Sequence, residues 1–339
     1  MSVAGRSDVL PRLTGGLLAG ALACGLGARA ARRRRVERGA GDEEFLETGA
    51  GNRIAYTLHR AARPRFPQDP VLVFVPGLGT PVARWSVLRE ALNPGFSVLT
   101  HDRAGYGRSR YRPGAPFTLD AARADLVDVI AAVPPGRPVI LVGHGLGGLL
   151  AMAAQETSRR PVAGLVLLDP RYPSELGRSA LLHSGSEQVG HNMSHIPLSC
   201  ELGLAPLLAA PPWERLLTGE ARRLCLDQYR DAGLWRAALR EWRAAHTELT
   251  SGAPPKVTAP VHLVTSGPRS AQSRAYEEFG KELLASVEHG GHTVLERVRR
   301  DLVPLTPECV TALARVIGEF AGTVVEESGG RYAAPHHAG

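Results

Sequence analysis

The chain has 339 residues, 44% apolar and 22% charged, enough for one large domain with an insertion or for two small ones. Its formal net charge is +7, but residues 1–40 hold eight arginines against Asp8 and Glu37, which leaves +1 for the other 299 residues. So neutral a body has no basic face to follow phosphates, which argues against a nucleic-acid partner, and the cysteines at 24, 200, 225 and 309 form no C-x-x-C pair, which argues against a zinc or dithiol site.

The first segment, residues 1–40, reads as a targeting or anchor piece. Leu13–Ala28 is free of charge, with Arg12 on one side and ARAARRRR on the other. A full membrane span takes about 20 apolar residues, so this run is short. Arginines that follow an apolar run are retained on the cytoplasmic side. The expectation is therefore a weak membrane anchor with the folded domain in the cytoplasm. Export through a cleaved N-terminal signal is the alternative, and a disordered arm is the plainest reading.

From residue 44 onward strands and helices alternate. Phe45–Thr48 and Arg53–His59 read as short strands around the turn Gly49-Ala50-Gly51-Asn52. VLVFV (71–75), between Pro70 and Pro76, has the continuous apolar character of a buried strand. Trp85–Leu92 fits a helix and Ser97–Thr100 a strand. Thr118 caps a helix running to Val133, with Ala121, Leu126, Val129 and Ile130 on one face and Arg123, Asp125 and Asp128 elsewhere. Val139–Val142 is the next buried strand, followed by a helix over Leu146–Ser158 and a strand over Gly164–Leu168. After Pro260 come a strand at Val261–Thr265, a helix at Ala275–Leu284, a short strand at Ser286–Glu288 and a last helix at Pro307–Phe320 with proline at its start. Residues 326–339 read as a disordered tail. This rhythm predicts an α/β class fold, a mostly parallel sheet covered on both faces. The core spans 44–171 and 252–322. Residues 172–251 break the rhythm with helical patterning and hold Trp213, Trp235 and Trp242, as an inserted helical cap would.

The sharpest local feature is VILVGHGLGGLL, 139–150. A strand runs into Gly143-His144-Gly145-Leu146-Gly147 and then into a helix, the setting of a G-x-S-x-G elbow with glycine in the serine's place. Four further landmarks stand in order around it: FVPGLGTPVARW (74–85), HDRAGYGRS (101–109), GLVLLDP (164–170) and GGHT (290–293). Together they resemble the α/β-hydrolase fold over about residues 44–322. The resemblance implies His292 as general base and Asp169, after the sixth strand, as the acid that orients it. It implies the backbone N–H groups of Leu78 and Leu146 as oxyanion donors, and Gly143, His144 and Gly147 as elbow residues. The loop after the seventh strand, 265–279, has no carboxylate before Glu277, which turns attention to Asp169; a plain turn residue before Pro170 is the structural reading of the same position.

Gly145 stands where the nucleophile is expected. Without an oxygen there no acyl-enzyme forms, and no Ser, Thr or Cys lies between Thr118 and Thr157 to replace it. Glycine takes the strained elbow backbone freely, so the fold survives the change. The first reading is a degenerate hydrolase that keeps a small-molecule pocket and has lost or weakened ester or amide hydrolysis. The alternative is an enzyme using the His292/Asp169 pair without a covalent nucleophile, as a water-activating hydrolase, lyase, isomerase or cyclase. Leu181, Leu182, Leu204, Leu207, Leu208, Trp213 and Trp235 in the cap point to a small apolar or acyl-type ligand. No cofactor is implied: there is no phosphate-binding lysine loop, and His183, His191 and His195 read as loop histidines rather than metal ligands.

Overall fold

The computed structural model describes residues 9–267, 271–296 and 298–327. Eight strands form one sheet in the order β1-β2-β4-β3-β5-β6-β7-β8. They are β1 (Glu44–Glu47), β2 (Arg53–His59), β3 (Val71–Val75), β4 (Ser97–His101), β5 (Val139–His144), β6 (Val162–Leu168), β7 (Val261–Gly267) and β8 (Gly290–Glu296). β1, β2 and β4 pair antiparallel, and all pairs among β4, β3 and β5–β8 are parallel. Parallel strands must be covered on both faces. α2 (Ser86–Leu92) and α10 (Pro307–Glu327) cover one face, packing Leu88, Leu92, Leu313 and Ile317 on Leu72, Phe74, Ile140 and Val166. α3 (Leu119–Ala131), α4 (Leu146–Thr157) and α9 (Ala271–Ser286) cover the other, over Val73, Leu141, Leu165 and Leu263. All five β3 side chains are fully buried, each apolar one worth roughly 1.5–3 kcal/mol relative to exposure.

Thr118 caps α3 as its sequence predicts, accepting a hydrogen bond from Ala121 N at 3.1 Å. Asp125, expected on the polar face of that helix, is instead buried. It accepts from Thr48 Oγ1 at 2.6 Å and Asn52 Nδ2 at 2.7 Å, so the β1–β2 turn is tied to α3.

Between β6 and β7 four helices form the expected insertion: α5 (Glu175–Arg178), α6 (Ala180–Glu201), α7 (Gly219–Tyr229) and α8 (Ala232–Ser251). α8 is amphipathic and buries Leu234, Ala237, Ala238, Glu241, Ala245 and Leu249. The N-terminal segment is not a loose arm over its described part. α1 (Val9–Arg38) is one helix, and its arginines reach the cap. No helix among the described residues is long and apolar enough to cross a membrane. The predicted tail lies almost wholly outside the described residues, and 326–327 belong to α10.

One boundary differs in a way that matters for function. The last strand was expected at 286–288, with GGHT in the loop beyond it. β8 in fact occupies Gly290–Glu296 and takes GGHT into its ladder, with His292 opposite Leu263. Thr293, Val294 and Leu295 favour a pleated surface, and the two glycines ahead of them do not end the strand.

Candidate active site

The elbow forms where expected. β5 stops at His144, Gly145 adopts φ 55° and ψ −120°, and α4 begins at Leu146. Gly145 is held from both sides: its N–H donates to Leu168 O at 3.0 Å, and its carbonyl accepts from Gly148 N and Arg171 N, each at 3.0 Å. A Cβ on Gly147 would run into the carbonyl oxygen of Val75, and one on Gly143 would meet Gly147 O at 2.8 Å, so both elbow glycines permit close backbone approach. A Cβ built on Gly145 meets only Gly77 Cα, at 4.0 Å. There is room for a side chain, and the cost of one is the backbone angle.

The loop expected to carry an oxyanion donor follows β3. The N–H groups of Leu78 and Leu146 make no backbone hydrogen bond among the described residues, as donors awaiting an acceptor would. The loop is braced from beneath by Arg103, which donates to Gly77 O at 3.0 Å, to the carbonyl of Pro76, and through two bonds of 2.6 and 2.8 Å to Glu241 of α8. Tyr106 donates to the same carboxylate at 2.6 Å and accepts from Gly79 N at 3.3 Å. Both charges are almost fully buried, so this pair locks cap to core.

Asp169 ends β6 in a left-handed conformation, φ 41°, and is buried. Its carboxylate accepts from Ser266 N at 2.9 Å and from the Ser266 hydroxyl. Burial pushes its pKa up, while Arg300 and the Ser266 bonds oppose the shift. Among the described residues, Arg300 faces it at 3.8 Å. Arg300 also lies over the Tyr276 ring at 3.7 Å, and its carbonyl meets His144 Nε2 at 3.1 Å. Burial works against the charge of Arg300, yet Asp169, Tyr276 and Glu175 outweigh it and raise its pKa. Nearby, Glu175 at the start of the cap pairs with Arg171.

His292 does not join this group. Its Nε2 contacts Thr265 Oγ1 at 2.9 Å, in the β7–β8 ladder, and burial lowers its pKa, partly offset by Glu277. The expected His292–Asp169 pair does not form: β8 begins later than its sequence suggests and takes the histidine into the ladder, and the loop after it presents arginine to the acid. His144 is buried beside Trp85, with its pKa pushed down to about 3 by burial and then by Arg84 and Arg300. It is a neutral packing group. Among the apolar cap residues expected to line a pocket, Leu181, Leu204 and Leu207 are exposed instead. A cleft of about 640 Å³ lies away from the elbow, between α2, β2, β4 and α7.

Residues 72–304, more than half the chain, match the Alpha/beta hydrolase family. The chain belongs to the alpha/beta hydrolase family. Among curated relatives of this family member, a Bacillus subtilis (strain 168) protein described as uncharacterized, YqjL, is 30% identical over 29% of this chain and 39% of its own. N-formylmaleamate deformylase of Pseudomonas putida is 31% identical over 31% of this chain and 42% of its own, and lipase LipV of Mycobacterium tuberculosis 39% over 25% and 31%. The chain thus spans about two fifths of the length of the first relatives it matches. Among solved structures, the epoxide hydrolase CorEH superposes with a TM-score of 0.62 at 18% identity, over 83% of this chain and 99% of that one. A membrane phospholipase A superposes at 0.58 and 20%, over 93% and 99%. At these identities the likeness is one of fold.

Arg300 and the Arg103–Glu241 brace carry no signal in the sequence, and Ser266, which reads there as a plain turn hydroxyl, is a partner of Asp169. Extending β8 through the β-favouring 293–295 would have moved the following loop to 297–304, RVRRDLVP, where no histidine stands. Arg103 lies inside the HDRAGYGRS landmark, but its partner is 138 residues away, and no local pattern joins them.

Proposed function

We propose that this alpha/beta hydrolase family member is a degenerate hydrolase that has lost, or retains only weakly, ester and amide hydrolysis. The observation that carries this reading is the elbow: Gly145 takes the bend at φ 55° and offers no oxygen. The arginine facing Asp169 supports it, because a guanidinium stays protonated and does not accept the proton that a general base must take. What remains are two donors, Leu78 N–H and Leu146 N–H, suited to hold a carbonyl or similar oxygen of a small apolar or acyl-type ligand. The relatives named as a deformylase and a lipase handle acyl groups, in keeping with that class. Association with a membrane through residues 13–28, with the domain on the cytoplasmic side, belongs to the same proposal.

Hydrolysis of p-nitrophenyl acetate, butyrate and octanoate by the full chain tests the reading. It predicts no burst and a rate no more than on the order of 10³ over buffer, the residue of catalysis that an oxyanion hole and binding leave behind. A burst of one p-nitrophenolate per chain followed by steady turnover overturns it.

A further inference from the structure

Helix α1 has two unlike halves. Its second half is fastened to the cap. Arg29 donates to Glu201 O at 3.2 Å, Arg32 to Arg230 O at 2.9 Å, Arg33 to Asp231 at 3.2 Å, and Arg35 to Asp227 through two bonds of 2.7 Å. The arginine cluster is therefore largely a cap-binding device. Where the two halves meet, α1 crosses the turn after α6 backbone to backbone. A Cβ on Gly25 would meet Gly203 O at 3.2 Å, and one on Gly203 would meet Gly25 C at 2.6 Å. Val9–Cys24, most of the charge-poor run, lies N-terminal to that crossing.

The crossing sits in an apolar patch. Residues 202–213, LGLAPLLAAPPW, carry no charge. Leu198, Leu202, Leu204 and Leu207 are exposed by 60%, 46%, 44% and 81%, and Leu26 of α1 by 43%. The backbone beneath them is fixed. Leu204 N donates to Ser199 O and Leu207 N to Leu204 O, both at 2.9 Å, and the buried Ala205 and Trp213 pin the segment. These leucines are held outward by a folded frame. Single exposed leucines are ordinary, but four in ten residues beside a fifth from another helix mark an interaction surface.

We propose that the Leu198–Leu207 end of the cap is a bilayer-docking surface, which enters the interface of an anionic membrane beside the apolar half of α1. A lipid surface fits better than a protein partner because the patch is continuous with a charge-free helical run. That run does not span a bilayer alone, whereas an interfacial helix beside a leucine-bearing turn buries apolar surface without spanning. Exposed Arg29 on α1 and Arg215 just after the loop suit anionic headgroups. The proposal rests on the reading that residues 13–28 associate with a membrane, and it orients the cap toward that membrane.

The test is flotation of the full chain with phosphatidylglycerol–phosphatidylcholine vesicles. Three proteins are compared: wild type, the double variant Leu204→Asp/Leu207→Asp, and Leu17→Asp. The cap variant is expected to lose about tenfold or more in partitioning, the effect of withdrawing partly buried leucines from the interface, while its thermal midpoint stays unchanged because both side chains are exposed. If the cap variant floats like wild type while Leu17→Asp does not, the helix reading stands and this inference falls. If wild type does not float, both fall. If, without lipid, wild type sediments as a dimer and the cap variant as a monomer, the patch is an interface between two copies and the inference is overturned.

Discussion

Glu241→Gln is the most informative single change in the frame of the site. The substitution keeps the shape of the side chain and removes the charge that faces Arg103. The guanidinium of Arg103 is 7% exposed and the Glu241 carboxylate 1%, so water does not compensate the loss. Breaking a buried, hydrogen-bonded ion pair by removing one charge costs about 3–5 kcal/mol. Unfolding entropy near 60 °C is about 2.1 cal/mol/K per residue. For a chain of 339 residues that is roughly 0.7 kcal/mol/K, so the expected fall in Tm is roughly 4–7 °C. Differential scanning calorimetry reads it directly. The double variant Arg103→Met/Glu241→Leu should lie about 0.5–3 kcal/mol nearer wild type than the two single losses summed, because neither leaves a lone charge behind in the other's presence. It does not recover fully, since Arg103 also holds the carbonyls of Pro76 and Gly77. A Tm shift below about 1 °C for Glu241→Gln would refute the view that this pair fastens the cap to the loop after β3.

Further outcomes follow from the same structure. Burial raises Asp102 to about 6, so its contribution to stability is present below the unfolded carboxyl range and is lost as pH rises through about 6; in pH-dependent melts, Asp102→Asn should lack that loss. His144, lowered to about 3 by burial, acts in the opposite sense: wild type should lose stability as pH falls below about 6.5, and His144→Phe should lose less over that window. Arg35→Ala removes a two-bond contact to Asp227 that is partly solvent-exposed, worth at most about 1 kcal/mol, and should speed trypsin cleavage within 29–38 without moving the main melting transition. Gly145→Ser alone should gain little esterase activity, because the group facing Asp169 is still Arg300; Gly145→Ser/Arg300→His should exceed it, and a fully active single variant would show that another base reaches the elbow.

The sequence carried the sheet well, for a physical reason. Strands such as Val71–Val75 and Val139–His144 are continuous apolar runs bounded by turn residues, and α3 announces its start through Thr118. The elbow was equally plain, because close backbone packing there demands glycine at 143 and 147 whatever the chemistry. GGHT has the look of a turn, while ladder pairing with β7 makes it a strand and draws His292 toward Thr265. The Asp169–Ser266–Arg300 group and the Arg103–Glu241 pair are products of long-range folding, with partners about a hundred residues or more apart. The outward leucines of the cap escape the sequence for a related reason: apolar character alone does not say which way a helix end faces.

Intact-mass analysis of the full chain after treatment with a fluorophosphonate tests the proposed loss of the nucleophile most directly. The account predicts an unmodified mass for wild type under conditions that label a serine hydrolase completely. A stoichiometric phosphonyl adduct on wild type, mapped to any residue at the elbow, would contradict it.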